Sequence, residues 1–88
     1  MIKLIKMALA TIPSGYTCNT RKYKDQFRVN IYENGTTRHI LVSFWPDSPG
    51  KWAVCFTDRY RLPVVQGLIP ADVKYIEAFL DKALKNMN

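Results

Sequence analysis

The chain has 88 residues, of which 48% are hydrophobic and 23% are charged, a composition that excludes an intrinsically disordered protein and indicates one folded domain over residues 1–88. Its 13 Lys and Arg residues exceed its 7 Asp and Glu residues, which gives a formal net charge of +6. The excess excludes an acidic mimic of DNA and favours an anionic partner, with a basic surface that serves solubility alone as the alternative.

The first twelve residues fit two structures. Apolar residues recur with helical spacing from Ile2 to Ile12, whereas Ile2-Lys3-Leu4 alternates as a strand does. We predict a strand over residues 1–12, because helix start signals are absent and Pro13 ends the segment. No stretch approaches the ~20 apolar residues that span a bilayer, so we expect a cytoplasmic protein with no membrane partner.

Residues 13–24 are predicted to form a loop, because Pro13, Ser14 and Gly15 open the segment. The loop ends in the densest basic run of the chain, Arg21-Lys22-Tyr23-Lys24.

Two β-rich runs, over residues 27–33 and 36–44, flank Asn34-Gly35, the strongest short signal for a β-hairpin. A two-residue loop pairs Ile31 with Arg38, Val29 with Ile40 and Phe27 with Val42. One face of the hairpin then carries the apolar side chains of Phe27, Val29, Ile31, Ile40, Val42 and Phe44. The other face carries Arg28, Asn30, Tyr32, His39, Leu41 and Trp45.

A competing turn places Gly35 in a bulge and slips the pairing by one residue, which exchanges every side chain between the faces. We predict the two-residue loop, because it gathers the better apolar set on one face.

The rest of the chain completes an α+β fold. Residues 46–50 are predicted as a turn, and Lys51 to Asp58 as a third strand with Trp52, Val54 and Phe56 on the apolar face. Pro63 excludes a central strand between Arg59 and Gly67. A helix over about residues 71–86, with Pro70 as its first residue, carries an apolar stripe. The stripe consists of Val73, Ile76, Phe79, Leu80, Ala83, Leu84 and Met87.

These elements predict an antiparallel sheet of three or four strands in meander order, with the C-terminal amphipathic helix packed on one face. The two cysteines, Cys18 and Cys55, are too few for a disulfide scaffold and are not spaced as zinc ligands. Cys55 is expected in the core, and a Cys18–Cys55 bridge stays open as an alternative.

No pattern in the sequence predicts catalysis, a metal or a cofactor. His39 is the single histidine and is expected at the surface, and no glycine-rich phosphate loop is present. The carboxylates near strand ends, Asp25, Glu33, Asp47 and Asp58, form no evident acid–base pair. We therefore expect a non-enzymatic protein.

Binding patterns carry more information. Arg21-Lys22-Tyr23-Lys24 and Arg59-Tyr60-Arg61 interleave cations with tyrosines, a pattern that suits phosphate contacts and base stacking. Two solvated loops whose tyrosines pack against the sheet edge are the slightly favoured alternative. The hairpin face with Arg28, Tyr32 and His39 fits either a base-stacking platform or a protein-binding surface.

Met1-Ile2-Lys3-Leu4-Ile5-Lys6, together with Ile31-Tyr32-Glu33-Asn34-Gly35, resembles small phage anti-CRISPR proteins that inhibit type I-F surveillance complexes. The resemblance implies a non-enzymatic inhibitor in the host-cell cytoplasm that occupies a Cas protein of a ribonucleoprotein complex and blocks target DNA. The resemblance implies that Tyr32, Glu33 and Asn34 contact the Cas protein. This occlusion is our leading functional prediction, and a basic DNA- or RNA-binding accessory module is the alternative.

Overall fold

A computed structural model describes residues 2–57 and 63–87. The elements in chain order are helix α1 (Ile2–Leu9), strands β1 (Tyr16–Lys22), β2 (Phe27–Glu33), β3 (His39–Ser48), β4 (Lys51–Thr57) and β5 (Pro63–Pro70), and helix α2 (Val73–Lys85). The strands form an antiparallel sheet in the order β1-β2-β3-β4-β5. The predicted α+β meander with a C-terminal helix is confirmed, although the sheet has five strands rather than three or four.

The core lies between the two helices and one face of the sheet. Phe79 of α2 reaches the middle of that face, with its ring centroid 6.3 Å from that of Phe44 and 5.4 Å from that of Phe56. The buried strand residues are the predicted apolar set, Phe27, Val29, Ile31, Ile40, Val42, Phe44, Trp52, Val54 and Phe56. Alternation along each strand therefore sends the intervening side chains to the face that lies away from the helices.

Helix α2 buries the predicted stripe, including Ile76, Leu80 and Ala83. It begins after Asp72, whose side chain accepts a hydrogen bond from the Lys74 amide at 3.3 Å and so caps the helix. The prediction that Pro70 starts the helix is wrong, because Pro70 is the last residue of β5.

The predicted N-terminal strand is wrong, since residues 2–9 form α1. The helix buries Ile5 and Ala8 in the core shared with α2, while Ile2 and Met7 stay exposed. A segment this short fits both the helical spacing and the strand alternation of apolar residues. Packing against α2 decides in favour of the helix. Thr11 Oγ1 donates to the Ala8 carbonyl at 2.7 Å where the helix ends.

The prediction of a loop over residues 13–24 is also wrong, because β1 occupies Tyr16–Lys22 at one edge of the sheet. Only Tyr16 and Cys18 of this strand are partly buried. An edge strand with so little burial has a largely polar sequence, which is why β1 resembles a loop.

The β2–β3 hairpin forms with a longer loop than predicted. Ile31 pairs with Ile40 and Val29 with Val42, two residues away from the predicted register. The loop has four residues, and it is closed by the Glu33 amide, which donates to the Arg38 carbonyl at 3.1 Å. Because a shift of two residues preserves the side-chain alternation, the two predicted faces are confirmed although the predicted pairs are not.

The next turn is shorter than predicted. Strand β3 continues to Ser48 through an irregularity between Pro46 and Ser48, so only residues 49–50 form the turn. Gly50 supplies the positive φ of 75° that this tight connection needs. Strand β4 is confirmed as far as Thr57, and residues 58–62 lie outside the described part of the chain.

Strand β5 forms the second edge of the sheet and starts at Pro63, as expected of a strand that contains proline. Across residues 2–57 and 63–87, neither helix has the length and apolar character needed to cross a membrane.

Candidate functional site

The face of the sheet that lies away from α1 and α2, here called the open face, carries a polar groove of about 620 Å³. Strands β1 to β4 all contribute to it, so the groove exists only because the meander places β1 beside β2. Its lining residues are Asn19, Thr20, Arg21, Tyr23, Arg28, Asn30, Tyr32, His39, Leu41 and Thr57.

An aromatic pair lies on the open face. Tyr32 and His39 are direct cross-strand partners, and their rings stack with centroids 4.7 Å apart at an angle of 24°. The Nε2 atom of His39 hydrogen-bonds to Asn30 Oδ1 at 3.0 Å, which fixes the orientation of the imidazole ring. Tyr32 nevertheless stays 40% exposed, so the pair forms an aromatic surface that is open to solvent.

A basic cluster lies beside this pair. The guanidinium carbon of Arg28 is 4.4 Å from the ring centroid of Tyr23, and Arg28 Nε donates to Gln26 Oε1 at 2.7 Å. Arg21 is the direct cross-strand partner of Arg28. The guanidinium group of Arg21, and to a smaller extent the positive charge of Arg28, lowers the pKa of the Tyr23 phenol below its usual value of 10.0.

The charge of the groove is positive and is not balanced locally. No described residue that lines it carries a carboxylate. Glu33 alternates to the helix-bearing side of β2, where its Oε2 accepts from Arg38 Nη1 at 2.9 Å. The groove therefore favours anions, with aromatic rings and amide groups next to the arginines.

The structure brings together residues from two separately predicted sites. Arg21 and Tyr23, predicted to contact nucleic acid, share the groove with Arg28, Tyr32 and His39, predicted to contact a partner. Lys22 is exposed but alternates to the other side of β1, and Lys24 lies in the β1–β2 turn. The remaining predicted contacts, Arg59, Tyr60 and Arg61, lie outside the described residues.

The three contacts implied by the anti-CRISPR resemblance do not share one surface. Tyr32 lies on the open face, and Glu33 is paired with Arg38 on the other side. Asn34 is in the turn, where its Oδ1 accepts from Thr17 Oγ1 at 2.6 Å.

Sequence reasoning missed the contribution of β1 beyond its basic residues. Asn19 pairs directly with Asn30, and Thr20 also reaches the groove. The alternation of Thr17, Asn19 and Arg21 was the available signal, but it is short and entirely polar. Thr57 was missed as well, and its buried Oγ1 has no hydrogen-bond partner among the described residues.

The two cysteines do not form a bonded pair at the groove. Cys18 packs against the core, whereas Cys55 pairs with Ser43 on the open face, so the two thiols lie on opposite sides of the sheet. Both are free, and the alternative of a Cys18–Cys55 bridge is wrong. Burial raises the pKa of each thiol above its usual value of 9.0.

Within residues 2–57 and 63–87, no three His, Cys, Asp or Glu side chains lie close enough together to hold a metal ion. No protein-family model, no curated protein and no solved structure matches the chain.

Proposed function

We propose that the chain is a non-enzymatic binding protein that holds single-stranded nucleic acid on the open face of its sheet. The observation that carries the proposal is the groove itself, in which guanidinium groups, aromatic rings and amides converge without a carboxylate among the described lining residues.

Each type of side chain in the groove matches a part of a nucleotide. Arg21 and Arg28 suit phosphate oxygens, since a guanidinium group presents donors in a planar fork. The exposed ring of Tyr32 suits the face of a base, and the amides of Asn19 and Asn30 suit base edges. The net charge of +6 adds a long-range attraction for any polyanion.

A single strand fits this surface better than a duplex does. Bases in a duplex are stacked on one another, so their faces are not available to Tyr32 and His39. A sheet surface is also broad, whereas reading a duplex requires an element that enters a groove. The proposal implies a cytoplasmic location, where single-stranded RNA is found.

The test is the fluorescence anisotropy of a labelled mixed-sequence oligonucleotide at ~50 and ~200 mM salt, since phosphate contacts make affinity depend on salt. Each phosphate contact with a single strand contributes a roughly threefold loss of affinity between these concentrations, so binding is expected to weaken as the salt concentration is raised. A duplex of the same sequence, the matched control, is expected to bind more weakly than the single strand. Absence of binding at the lower salt concentration would contradict the proposal.

A second candidate, occlusion of a Cas surveillance complex, is favoured by the hydrogen bonds that anchor the β2–β3 turn. The Asn34 amide donates to the Gly15 carbonyl at 2.9 Å, and Arg38 Nη2 donates to the Met87 carbonyl at 3.2 Å. A turn tied both to the residue that precedes β1 and to the C-terminal region is preorganised for a protein partner.

A pull-down from bacterial lysate with and without nuclease separates the two candidates. A captured complex that survives nuclease treatment supports occlusion. A complex that nuclease releases supports nucleic-acid binding on the open face.

A further inference from the structure

The most unusual feature of the groove is that two arginines face each other across neighbouring strands. Arg21 of β1 and Arg28 of β2 are direct partners in the antiparallel register. Side chains at such positions have Cβ atoms about 4.5–5.5 Å apart, and like charges there destabilise the pairing. Arg28 Nε is satisfied by neutral Gln26, and no described lining residue supplies a carboxylate.

The side chain of Tyr23 lies beside the same two arginines. The turn between β1 and β2 is closed by the Tyr23 amide, which donates to the Gln26 carbonyl at 2.7 Å and so sets the tyrosine beside both arginines. Arg28 lies over the ring face, and the guanidinium groups of Arg21 and Arg28 both act on the phenol. The lowered pKa of this phenol agrees with the geometry, since the surroundings stabilise negative charge on an oxygen atom at this place.

We propose that Arg21 and Arg28, together with the hydroxyl group of Tyr23, bind one phosphate group. The proposal rests on the proposed function, which supplies the phosphate as part of a bound single strand. A bound phosphate accepts hydrogen bonds from both guanidinium groups and neutralises a pair of charges that otherwise repel each other. The aromatic pair of Tyr32 and His39 on the adjacent strands then receives the neighbouring base.

The first experiment uses inorganic phosphate and follows the side-chain Nε–Hε resonances of arginine by NMR, with sodium chloride of equal ionic strength as the comparison. Phosphate is expected to shift the resonances of Arg21 and Arg28 and to leave that of Arg38 in place. Phosphate is also expected to raise the thermal midpoint of the natural chain but not that of Arg21→Gln.

The second experiment measures oligonucleotide affinity of charge-matched variants. Arg21→Gln and Arg28→Gln are each expected to weaken binding about tenfold, the effect of losing a charge-assisted contact. Lys82→Gln on the exposed surface of α2 removes the same charge and is expected to change affinity less than twofold, given screening at moderate salt. Because the arginines repel, Arg21→Gln is also expected to be at least as stable as the natural chain.

The outcomes distinguish this inference from the proposed function. Oligonucleotide binding without any phosphate-specific shift of Arg21 and Arg28, or with equal effects of Arg28→Gln and Lys82→Gln, would overturn the phosphate site alone. Specific shifts with inorganic phosphate but no oligonucleotide binding would support the anion site and contradict the proposed function.

Discussion

Tyr32 and His39 stack directly across β2 and β3, with ring centroids 4.7 Å apart, and Asn30 holds the imidazole through a 3.0 Å hydrogen bond. The pair exists because the hairpin loop has four residues. A two-residue loop would place Thr37, rather than His39, opposite Tyr32. The loop length therefore creates the aromatic surface on which the proposed binding of bases depends.

The first prediction concerns Tyr32. Stacking on an aromatic side chain contributes about 1–3 kcal/mol per base, so Tyr32→Ala should weaken oligonucleotide binding about 5- to 150-fold. The measurement is fluorescence anisotropy with the labelled single strand. Tyr75→Ala is the matched control, because Tyr75 is 42% exposed, close to the 40% of Tyr32, but lies on α2. Equal effects of the two substitutions would count against base stacking on the open face.

The second prediction concerns the ionisation of Tyr23. The phenol of Tyr23 should titrate with a pKa below 10.0, because Arg21, and to a smaller extent Arg28, favours the phenolate. The titration is isolated by subtracting the absorbance of Tyr23→Phe from that of the natural chain at each pH. Arg21→Gln should move this titration back towards the ordinary value. A transition that is unchanged in Arg21→Gln would show that Arg21 does not act on the phenol.

The same shift has a consequence for stability. Since the folded pKa lies below the unfolded one, the phenolate stabilises the fold only as the pH rises through the folded pKa. Well below the folded pKa the phenol is protonated in both states, so this linkage contributes nothing to stability there. Tyr23→Phe should therefore lose stability relative to the natural chain in alkaline solution, and urea unfolding at neutral and alkaline pH measures the difference.

The sequence predicts the faces of the hairpin more securely than its pairing. Only one alternation of side chains places the apolar residues between Phe27 and Phe44 together on a buried face. A shift of the strand pairing by two residues leaves that alternation unchanged. The loop length depends on local contacts that the sequence does not reveal. Thr36 Oγ1 donates to the Glu33 carbonyl at 3.0 Å and accepts from the Arg38 amide at 3.1 Å, which stabilises the longer loop.

The site was only partly predictable for a different reason. Arg28, Tyr32 and His39 could be assigned to one face from β2 and β3 alone. These three residues share a surface with Arg21 and Tyr23 only because β1 is a strand at the edge of the sheet. The polar sequence of β1 indicated a loop instead. Likewise, α1 becomes a helix through packing on α2, a contact that short-range periodicity does not report.

The third prediction tests the core that positions the open face. Phe79 packs its ring against Phe44 and Phe56, and Phe79→Ala should lower the free energy of unfolding by about 3–5 kcal/mol. Urea unfolding followed by circular dichroism measures the change. Tyr75→Ala on the exposed surface of the same helix should change it by less than about 1 kcal/mol. Similar losses in the two variants would contradict the packing of α2 on the sheet.

The fourth prediction concerns the thiols. At a pH of about 8, Cys18 and Cys55 should react slowly with Ellman's reagent, because burial raises their pKa and lowers the thiolate fraction. Both should react rapidly once the chain is unfolded in denaturant without reductant. Two unreactive thiols under those conditions would indicate a bridge, against the positions of the cysteines on opposite sides of the sheet.

The central claim is that the open face is the binding surface, and NMR mapping with a single-stranded oligonucleotide tests it most directly. Backbone amide shifts are expected to concentrate in β1, β2 and the start of β3, around Arg21, Arg28, Tyr32 and His39, with α1 and α2 unaffected. Shifts concentrated on the exposed surface of the helices, or none at concentrations that saturate binding, would contradict it.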